Sequence, residues 1–157
     1  MSRGKNITLM KRIAILLVLL AGWFTLATAQ TFKGHFVNDE YKMQMVLNLY
    51  ADSVAVPGMD DEMCYGYING NTNGMWVILK VISVEKDKAV FRASCDNGSD
   101  SQNVELTWSE GKLVMKQLKD AYIKTVANRK YVKLPKAVEF HDLALPKLPV
   151  PKVVLPK

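Results

Sequence analysis

The sequence predicts an all-β protein, an antiparallel meander that forms a small barrel or a sandwich. Three observations predict this fold class: a segment at 41–50 in which apolar and polar residues alternate, a series of short apolar segments, and tight-turn dipeptides between those segments. In the segment at 41–50, YKMQMVLNLY, apolar and polar residues largely alternate with the two-residue period of a strand that buries one face.

Further strands are predicted wherever a short apolar segment stands between polar turns. The segment at 75–84, MWVILKVISV, is apolar on both faces, so we expect a central strand that is covered on both sides. The other predicted strands are shorter and lie at 32–37, 53–57, 64–68, 88–95, 103–108 and 112–118.

The connections between these segments are typical of hairpins. Asn-Gly, whose two residues tolerate a positive φ, occurs at 69–70, 73–74 and 97–98. The polar segments 85–88 and 109–112 also separate apolar runs. Only residues 120–128 have the pattern of a short helix, with Asp120 as the cap, and the same residues are equally compatible with another strand.

Both ends of the chain differ in composition from the body. Residues 1–29 have a basic start, an apolar run and an Ala-x-Ala site, which predicts a signal peptide cleaved before Gln30 and a secreted or periplasmic protein. The body spans 30–134. Five of the six prolines lie in 135–157, so we expect an extended tail in which 137–140 adds at most an edge strand. The tail either docks on a surface, its own acidic body or a partner, or is disordered, and the sequence leaves both alternatives open.

The net charge of +6 is mainly a property of the predicted leader. Four of the 21 basic residues and none of the 15 acidic ones lie in 1–29, which leaves a net charge of +2. We therefore expect no nucleic-acid partner, and membrane contact only through the leader during export. The remaining charge is divided unevenly, with a net of −4 over 30–117 and +6 over 118–157.

Cys64 and Cys95 are the only two cysteines. In a flat meander of the predicted strands, their Cα atoms would lie about 14 Å apart, and a disulfide needs less than about 7 Å. Exported proteins meet an oxidising compartment, and on that ground we expect a Cys64–Cys95 disulfide.

No constellation for catalysis is present in the sequence. His35 and His141 are far apart in the sequence and have no cysteine or carboxylate cluster beside them. The acidic stretch at 60–62 and the segment 96–100 are interpreted as solvated turns. Asn97 is the first residue of a glycosylation sequon, and the sequence does not decide whether this sequon is used. We expect no enzyme, no metal and no cofactor.

Two sets of residues are candidates for binding. Aromatic side chains on the predicted strands would line a ligand cavity if the barrel is open, or fill it as an ordinary core. The segment 57–63 is a candidate partner loop, with Asp60, Asp61 and Glu62 facing a basic partner. The ligand-binding candidates are Trp76, Phe91, Trp108, Tyr65 and Tyr67.

A leader, an early FKGHF at 32–36, roughly eight strands in a meander and one disulfide together resemble the lipocalin-like small exported proteins of Gram-negative bacteria. Some bacterial lysozyme inhibitors share this small barrel. The resemblance spans about 31–118 and implies a binding barrel. Lipocalins open with Gly-x-Trp, whereas Gly34 is followed by His35 and Phe36, so no site residue is carried over.

The function predicted from these observations is that of an exported, non-enzymatic binding protein. Its partner would be a small apolar ligand or another protein, and an enzyme inhibitor is one form of the second case. The alternative is a structural envelope or surface protein whose basic segment 137–157 contacts an anionic polymer or membrane. The oligomeric state is open.

Overall fold

The computed structural model describes residues 7–15 and 30–144. Residues 7–15 form a helix, α1, and no helix in these two ranges is long and apolar enough to cross a membrane. The predicted cleavage site and residues 145–157 of the predicted tail lie outside the described residues.

The body consists of short strands, in agreement with the all-β class predicted from the sequence. In chain order they are β1 (Lys33–Asn38), β2 (Met43–Asn48), β3 (Val54–Ala55), β4 (Met63–Cys64), β5 (Gly66–Gly70), β6 (Trp76–Val84), β7 (Lys88–Cys95), β8 (Ser101–Ser109), β9 (Lys112–Gln117), β10 (Lys124–Ala127), β11 (Lys130–Lys133) and β12 (Val138–Asp142).

Eight of these strands close into an antiparallel barrel in the order β1-β12-β9-β8-β7-β6-β5-β2. Neighbours in the barrel mostly follow one another along the chain, so the fold is the predicted meander, closed as a barrel rather than a sandwich. Two short hairpins, β3–β4 and β10–β11, are inserted into this meander as separate two-stranded sheets.

The two ends of the barrel have different structures. We call the end at which β1, β5, β7 and β9 begin the mouth end, and the opposite end the base end; the antiparallel register places the other four strands accordingly. Segment 118–134 crosses the base end. There Ile123 is fully buried, and its backbone is held by two hydrogen bonds to the Gln117 side chain, at 2.8 and 2.9 Å.

The barrel interior is occupied by large apolar side chains from all eight strands. Alternation puts every second residue of a strand inside, which is why Met43, Met45 and Leu47 of β2 are buried together. The other fully buried large side chains are Phe32, Phe36, Ile68, Trp76, Ile78, Phe91, Leu106, Leu113 and Phe140.

Strand β6 departs from the prediction that both of its faces are covered. Its first half is buried, but Leu79 and Ile82 are 62% and 50% exposed. The pairing with β7 shifts register twice, between Ile78 and Lys80 and between Val81 and Ser83. Each bulge adds a residue to β6, and these apolar residues point outward while Val81 and Val84 pack against the core.

Two open questions about the C-terminal third are settled by the fold. Residues 124–127, within the segment compatible with a helix or a strand, form β10. Residues 138–142 form β12, which pairs with both β1 and β9. The strand expected at the sheet edge therefore closes the barrel, and the barrel extends beyond the predicted boundary at 134.

The predicted Cys64–Cys95 disulfide is wrong: both cysteines are buried and unbonded. The register pairs Ile68 with Trp76 and Trp76 with Cys95, so Cys64 lies two strands away and four residues along from the level of Cys95. That places their Cα atoms on the order of 15 Å apart. The meander prediction was correct here, and the expectation based on the oxidising compartment was not.

Candidate functional site

A cleft of about 550 Å³ opens at the mouth end of the barrel. Its volume lies within the range of roughly 300–1,000 Å³ typical of small-molecule pockets. We call it the mouth cleft. Its lining residues come from the chain before β1, the end of β2, the β6–β7 turn and the end of β8; they are Gln30, Thr31, Tyr50, Val84, Glu85, Lys86, Asp87 and Trp108.

Trp108 is the largest apolar side chain of the mouth cleft. It lies near the end of β8, where its half-buried indole packs against the core and meets the Phe36 ring edge-on, with centroids 6.4 Å apart and planes at 72°. Its backbone N–H donates to the Asp87 carbonyl at 2.9 Å. The ring contact supports one edge of the indole, and the backbone hydrogen bond fixes the strand that carries it, so a ligand would meet an aromatic surface held at the opening.

Tyr50 forms another part of the lining, just after β2. Its hydroxyl accepts a hydrogen bond from the backbone N–H of Phe32 at 3.3 Å, and its side chain is 41% exposed. Phe32 itself is fully buried and accepts a backbone hydrogen bond from Leu49 at 3.1 Å. The buried Phe32 therefore anchors the segment that places Tyr50 at the opening.

The β6–β7 turn gives the mouth cleft a polar rim. Glu85, Lys86 and Asp87 are exposed, and Glu85 N–H donates to the Lys88 carbonyl at 2.7 Å, which closes the turn. Lys88 itself forms an ion pair with Glu105 at 3.0 Å, and this hydrogen bond raises the pKa of the Lys88 ammonium. The rim thus combines the carboxylates of Glu85 and Asp87 with the ammonium group of Lys86, beside the apolar residues of the cleft.

The structure does not bring the five predicted ligand-binding aromatics together. Trp108 lines the mouth cleft, whereas Trp76 is fully buried near the base end, with its indole N–H donating to Asn73 Oδ1 at 3.2 Å. Phe91 is fully buried in the core, and Tyr65 packs partly buried against it. Tyr67 alternates with the buried Gly66 and Ile68, which places it on the outer wall. Core packing, the alternative for this set, explains Trp76 and Phe91.

Sequence reasoning missed most of the cleft because it searched strands rather than strand ends. Tyr50, the last residue of the predicted strand 41–50, belongs to the aromatic residues considered for a cavity but not to the five candidates. Val84 lies at the end of an apolar segment, and residues 85–87 were interpreted only as a turn. A usable signal was present, since the loops at one end of a closed barrel surround its opening. An aromatic residue directly beside such a turn is therefore a stronger candidate than one in the middle of a strand.

The predicted partner loop, 57–63, is exposed over its whole length and joins β3 to β4. The hairpin packs against the outer wall of the barrel through a small cluster in which Val56, Cys64 and Val77 are buried. Asp60, Asp61 and Glu62 are exposed, as are Met59 and Met63. The loop thus presents three carboxylates and two thioethers to solvent.

His35 and His141 lie on the outer wall, on the neighbouring strands β1 and β12, where His141 pairs with Val37, and each side chain has a different partner. His35 Nε2 lies 2.9 Å from Gln44 Oε1, and His141 Nε2 lies 3.7 Å from a carboxylate oxygen of Asp39. Across 7–15 and 30–144, no group of three or more His, Cys, Asp or Glu side chains converges in a way that would hold a metal ion. Two smaller polar clefts, of about 180 and 240 Å³, lie elsewhere on the surface.

Comparison of this chain with protein families, curated proteins and solved structures gives no match. The geometry of the mouth cleft and the charges around it are therefore what indicates a function.

Proposed function

We propose that this chain is an exported binding protein that holds a small apolar ligand in its mouth cleft without transforming it. The observation that carries the proposal is the contrast between the two parts of the barrel. The interior is occupied by its own side chains, while the mouth end keeps a cleft of about 550 Å³ with an indole and a phenol in its lining.

The lining indicates the chemistry of the ligand. Trp108, Tyr50 and Val84 offer apolar and aromatic surface, and the flat indole fits a flat or chain-like apolar body. The rim residues 85–87 offer both charge signs to a polar head group at the opening. Eight-stranded barrels that hold one small ligand are a known use of this architecture, which agrees with the lipocalin-like resemblance of the sequence.

The experiment is a titration with Nile red, a neutral dye that fluoresces in apolar surroundings. We expect saturable binding by the chain and a loss of about fivefold or more in affinity on Trp108→Ala, because an aromatic contact of this kind supplies about 1–3 kcal/mol. Trp108→Phe should retain part of the affinity. Tyr67→Ala, which removes an aromatic side chain from the outer wall, is the matched control and should bind as the parent chain does.

Two results would contradict the proposal. One is the absence of saturable dye binding by the parent chain. The other is equal binding by the parent chain and Trp108→Ala while the melting temperatures agree. Because Trp108 also packs on the core, Tyr50→Ser serves as a second variant that alters the cleft through a more exposed side chain.

A protein partner is the second candidate, and the exposed loop 57–63 favours it. Three carboxylates with two exposed methionines suit a basic partner with an apolar contact, since methionine adapts to irregular surfaces. The test is co-purification from the native source, repeated after Asp60→Lys and Asp61→Lys. A protein that is recovered equally with both chains would exclude this loop as its binding site.

A further inference from the structure

The hairpin β10–β11 carries a concentration of positive charge at the base end of the barrel. We call residues 124–133 the basic ribbon; they include Lys124, Arg129, Lys130 and Lys133 and no acidic residue. All 15 acidic residues of the chain lie in the described ranges. The ion pairs found there are Lys88–Glu105, Lys112–Glu139 and His141–Asp39, so none neutralises the ribbon.

The arrangement of these cations opposes the stability of the hairpin. Lys124 and Lys133 are directly opposite each other across the two strands, and like charges in such pairs are destabilising. The turn holds Asn128 and Arg129 at φ values of 51° and 61°. Asn tolerates this conformation, but an arginine there costs about 1–2 kcal/mol relative to the glycine that such turns favour. An external anion would relieve the repulsion between the two lysines and would give the arginine side chain a charged partner.

Apolar side chains are exposed among the cations. Tyr131 is 66% exposed and Val132 is 43% exposed, and Tyr122, just before the ribbon, is 40% exposed. Tyr131 pairs across the strands with Val126, and Val132 pairs with Thr125, so apolar surface is present on both faces of the hairpin. Tyrosine between lysines is the composition found where a protein surface meets lipid head groups.

The ribbon is fixed to the barrel rather than loosely attached. Asn71 Nδ2 donates to the Val126 carbonyl at 2.8 Å, and Thr125 Oγ1 donates to the Asn71 carbonyl at 3.0 Å. Asn73 N–H donates to the Lys124 carbonyl at 3.1 Å. All four residues of β11 are nevertheless exposed, and β10 is its only partner strand in the described chain. The hairpin thus presents its charges from a rigid base.

We propose that the basic ribbon is a docking surface for an anionic phospholipid membrane. Tyr131 would enter the interfacial region from the face that also carries Lys124 and Lys133, whose ammonium groups would lie at the level of the lipid phosphates. Arg129 and Lys130, at the turn, would contact phosphates at the edge of this face. The exposed apolar side chains favour a lipid surface over a soluble polyanion, which would be bound by the charges alone. This proposal departs from the sequence-based expectation of membrane contact only through the leader. It involves the base end, so it is separate from the mouth cleft.

The experiment is vesicle co-sedimentation with the chain as recovered from cells, its N-terminus checked by mass spectrometry. Vesicles of phosphatidylcholine alone are compared with vesicles that also contain phosphatidylglycerol. We expect binding to the anionic vesicles only, weakened by salt, and a loss of about fivefold in affinity for each lysine replaced in Lys130→Gln and Lys133→Gln. Tyr131→Ser should weaken binding without changing its salt dependence.

The matched control is Lys80→Gln with Lys116→Gln, which removes the same charge from exposed positions on the barrel wall. All variants keep the same N-terminus, so any contribution of the leader cancels. An equal loss of vesicle affinity in the control and in the ribbon variants would overturn the proposal, because the net charge of the chain would then explain the binding. Binding to a soluble acidic polysaccharide but not to anionic vesicles would overturn it in favour of a glycan partner.

Discussion

Cys64 and Cys95 lie on opposite faces of the barrel wall. Cys95 belongs to the core cluster inside the barrel, whereas Cys64 packs with Val56 and Val77 under the β3–β4 hairpin outside it. The Cys64 thiol lies 3.2 Å from the Gly66 carbonyl oxygen and 3.3 Å from that of Val54, so its S–H has acceptors nearby. Each cysteine is thus a small buried residue that contributes to packing.

The first prediction is that the folded chain carries two free thiols. Unfolding in denaturant without reductant should release two groups that react with a maleimide, because the wall of the barrel separates the sulfurs. In the native state the reaction should be slow, since both residues are at most 5% exposed. A chain that gives no maleimide adduct after unfolding would contradict the unbonded state.

The second prediction concerns alkaline pH. Burial raises the pKa of both thiols above the ordinary value of 9.0, and backbone hydrogen bonds lower it only in part. Well below pH 9 the folded and the unfolded chain both keep their thiol protons, and the contribution of the thiols to stability is complete. As pH rises through 9 towards the raised folded pKa, the unfolded chain loses its thiol protons first, so the free energy of unfolding falls. The free energy of unfolding in urea should therefore decrease between about pH 8 and pH 10.

The double variant Cys64→Ala with Cys95→Ala provides the control for this pH dependence. It keeps the Lys88–Glu105 and Lys112–Glu139 pairs, whose lysines also have raised pKa values. The difference between the two chains isolates the thiols. A fall of the same size in both would show that the thiols make no contribution.

The third prediction contrasts two neighbours in β6. Ile78 is fully buried and Leu79 is 62% exposed, because alternation along the strand turns Leu79 outward, and the bulge then leaves Leu79 without a paired residue on β7. We expect Ile78→Ala to lower the free energy of unfolding by about 2–5 kcal/mol, and Leu79→Ala to change it by less than about 0.5 kcal/mol. Denaturant unfolding of both variants measures this directly. Similar losses in the two would contradict the outward position of Leu79.

The bulges show what sequence reasoning can and cannot reach in this fold. Strand β7 was predicted at its observed bounds because 88–95 alternates between two polar turns. In β6 the apolar run is nearly continuous, so its periodicity does not indicate where the bulges add a residue to the strand. Leu79 and Ile82 look like core residues in the sequence, and only the pairing with β7 shows that they are not.

The candidate site was less predictable than the fold for a related reason. A strand is encoded by neighbouring residues, whereas the mouth cleft joins Tyr50, Val84 and Trp108, which are far apart in the chain. Their proximity follows from the closure of the barrel by β12, a strand expected at an edge. Without that closure, the mouth end and its lining are not defined.

The fourth prediction concerns Gly66, at the start of β5. A Cβ atom at this position would overlap the Val46 carbonyl oxygen and lie 3.1 Å from Leu47 Cα, both of which belong to the neighbouring strand β2. We expect Gly66→Ala to cost about 3 kcal/mol or more, since backbone atoms of a paired strand have little freedom to move. Gly98→Ala is the control: it has no atom within 4 Å and should cost only about 1–2 kcal/mol for its φ of +71°. Equal costs would remove the steric explanation.

The fifth prediction tests the attachment of the basic ribbon through Asn73. Asn73 Oδ1 accepts from the Lys124 N–H at 2.9 Å and from the Trp76 indole at 3.2 Å, and Asn73 Nδ2 donates to the Tyr122 carbonyl at 2.8 Å. Asn73→Ala leaves these groups without partners. We expect a loss of about 2–3 kcal/mol, since each unsatisfied group costs about 1–3 kcal/mol when buried and less when water reaches it.

The same variant should loosen the ribbon more than the barrel. Hydrogen exchange at the Lys124 amide and tryptic cleavage after Arg129 should both accelerate, while the amides of β8 exchange as before. Asn97→Ala is the matched control, because the Asn97 side chain accepts its hydrogen bonds from Ser99, within its own turn. If ribbon exchange and cleavage were unchanged in Asn73→Ala, the side chain of Asn73 would not be what holds the hairpin to the base of the barrel.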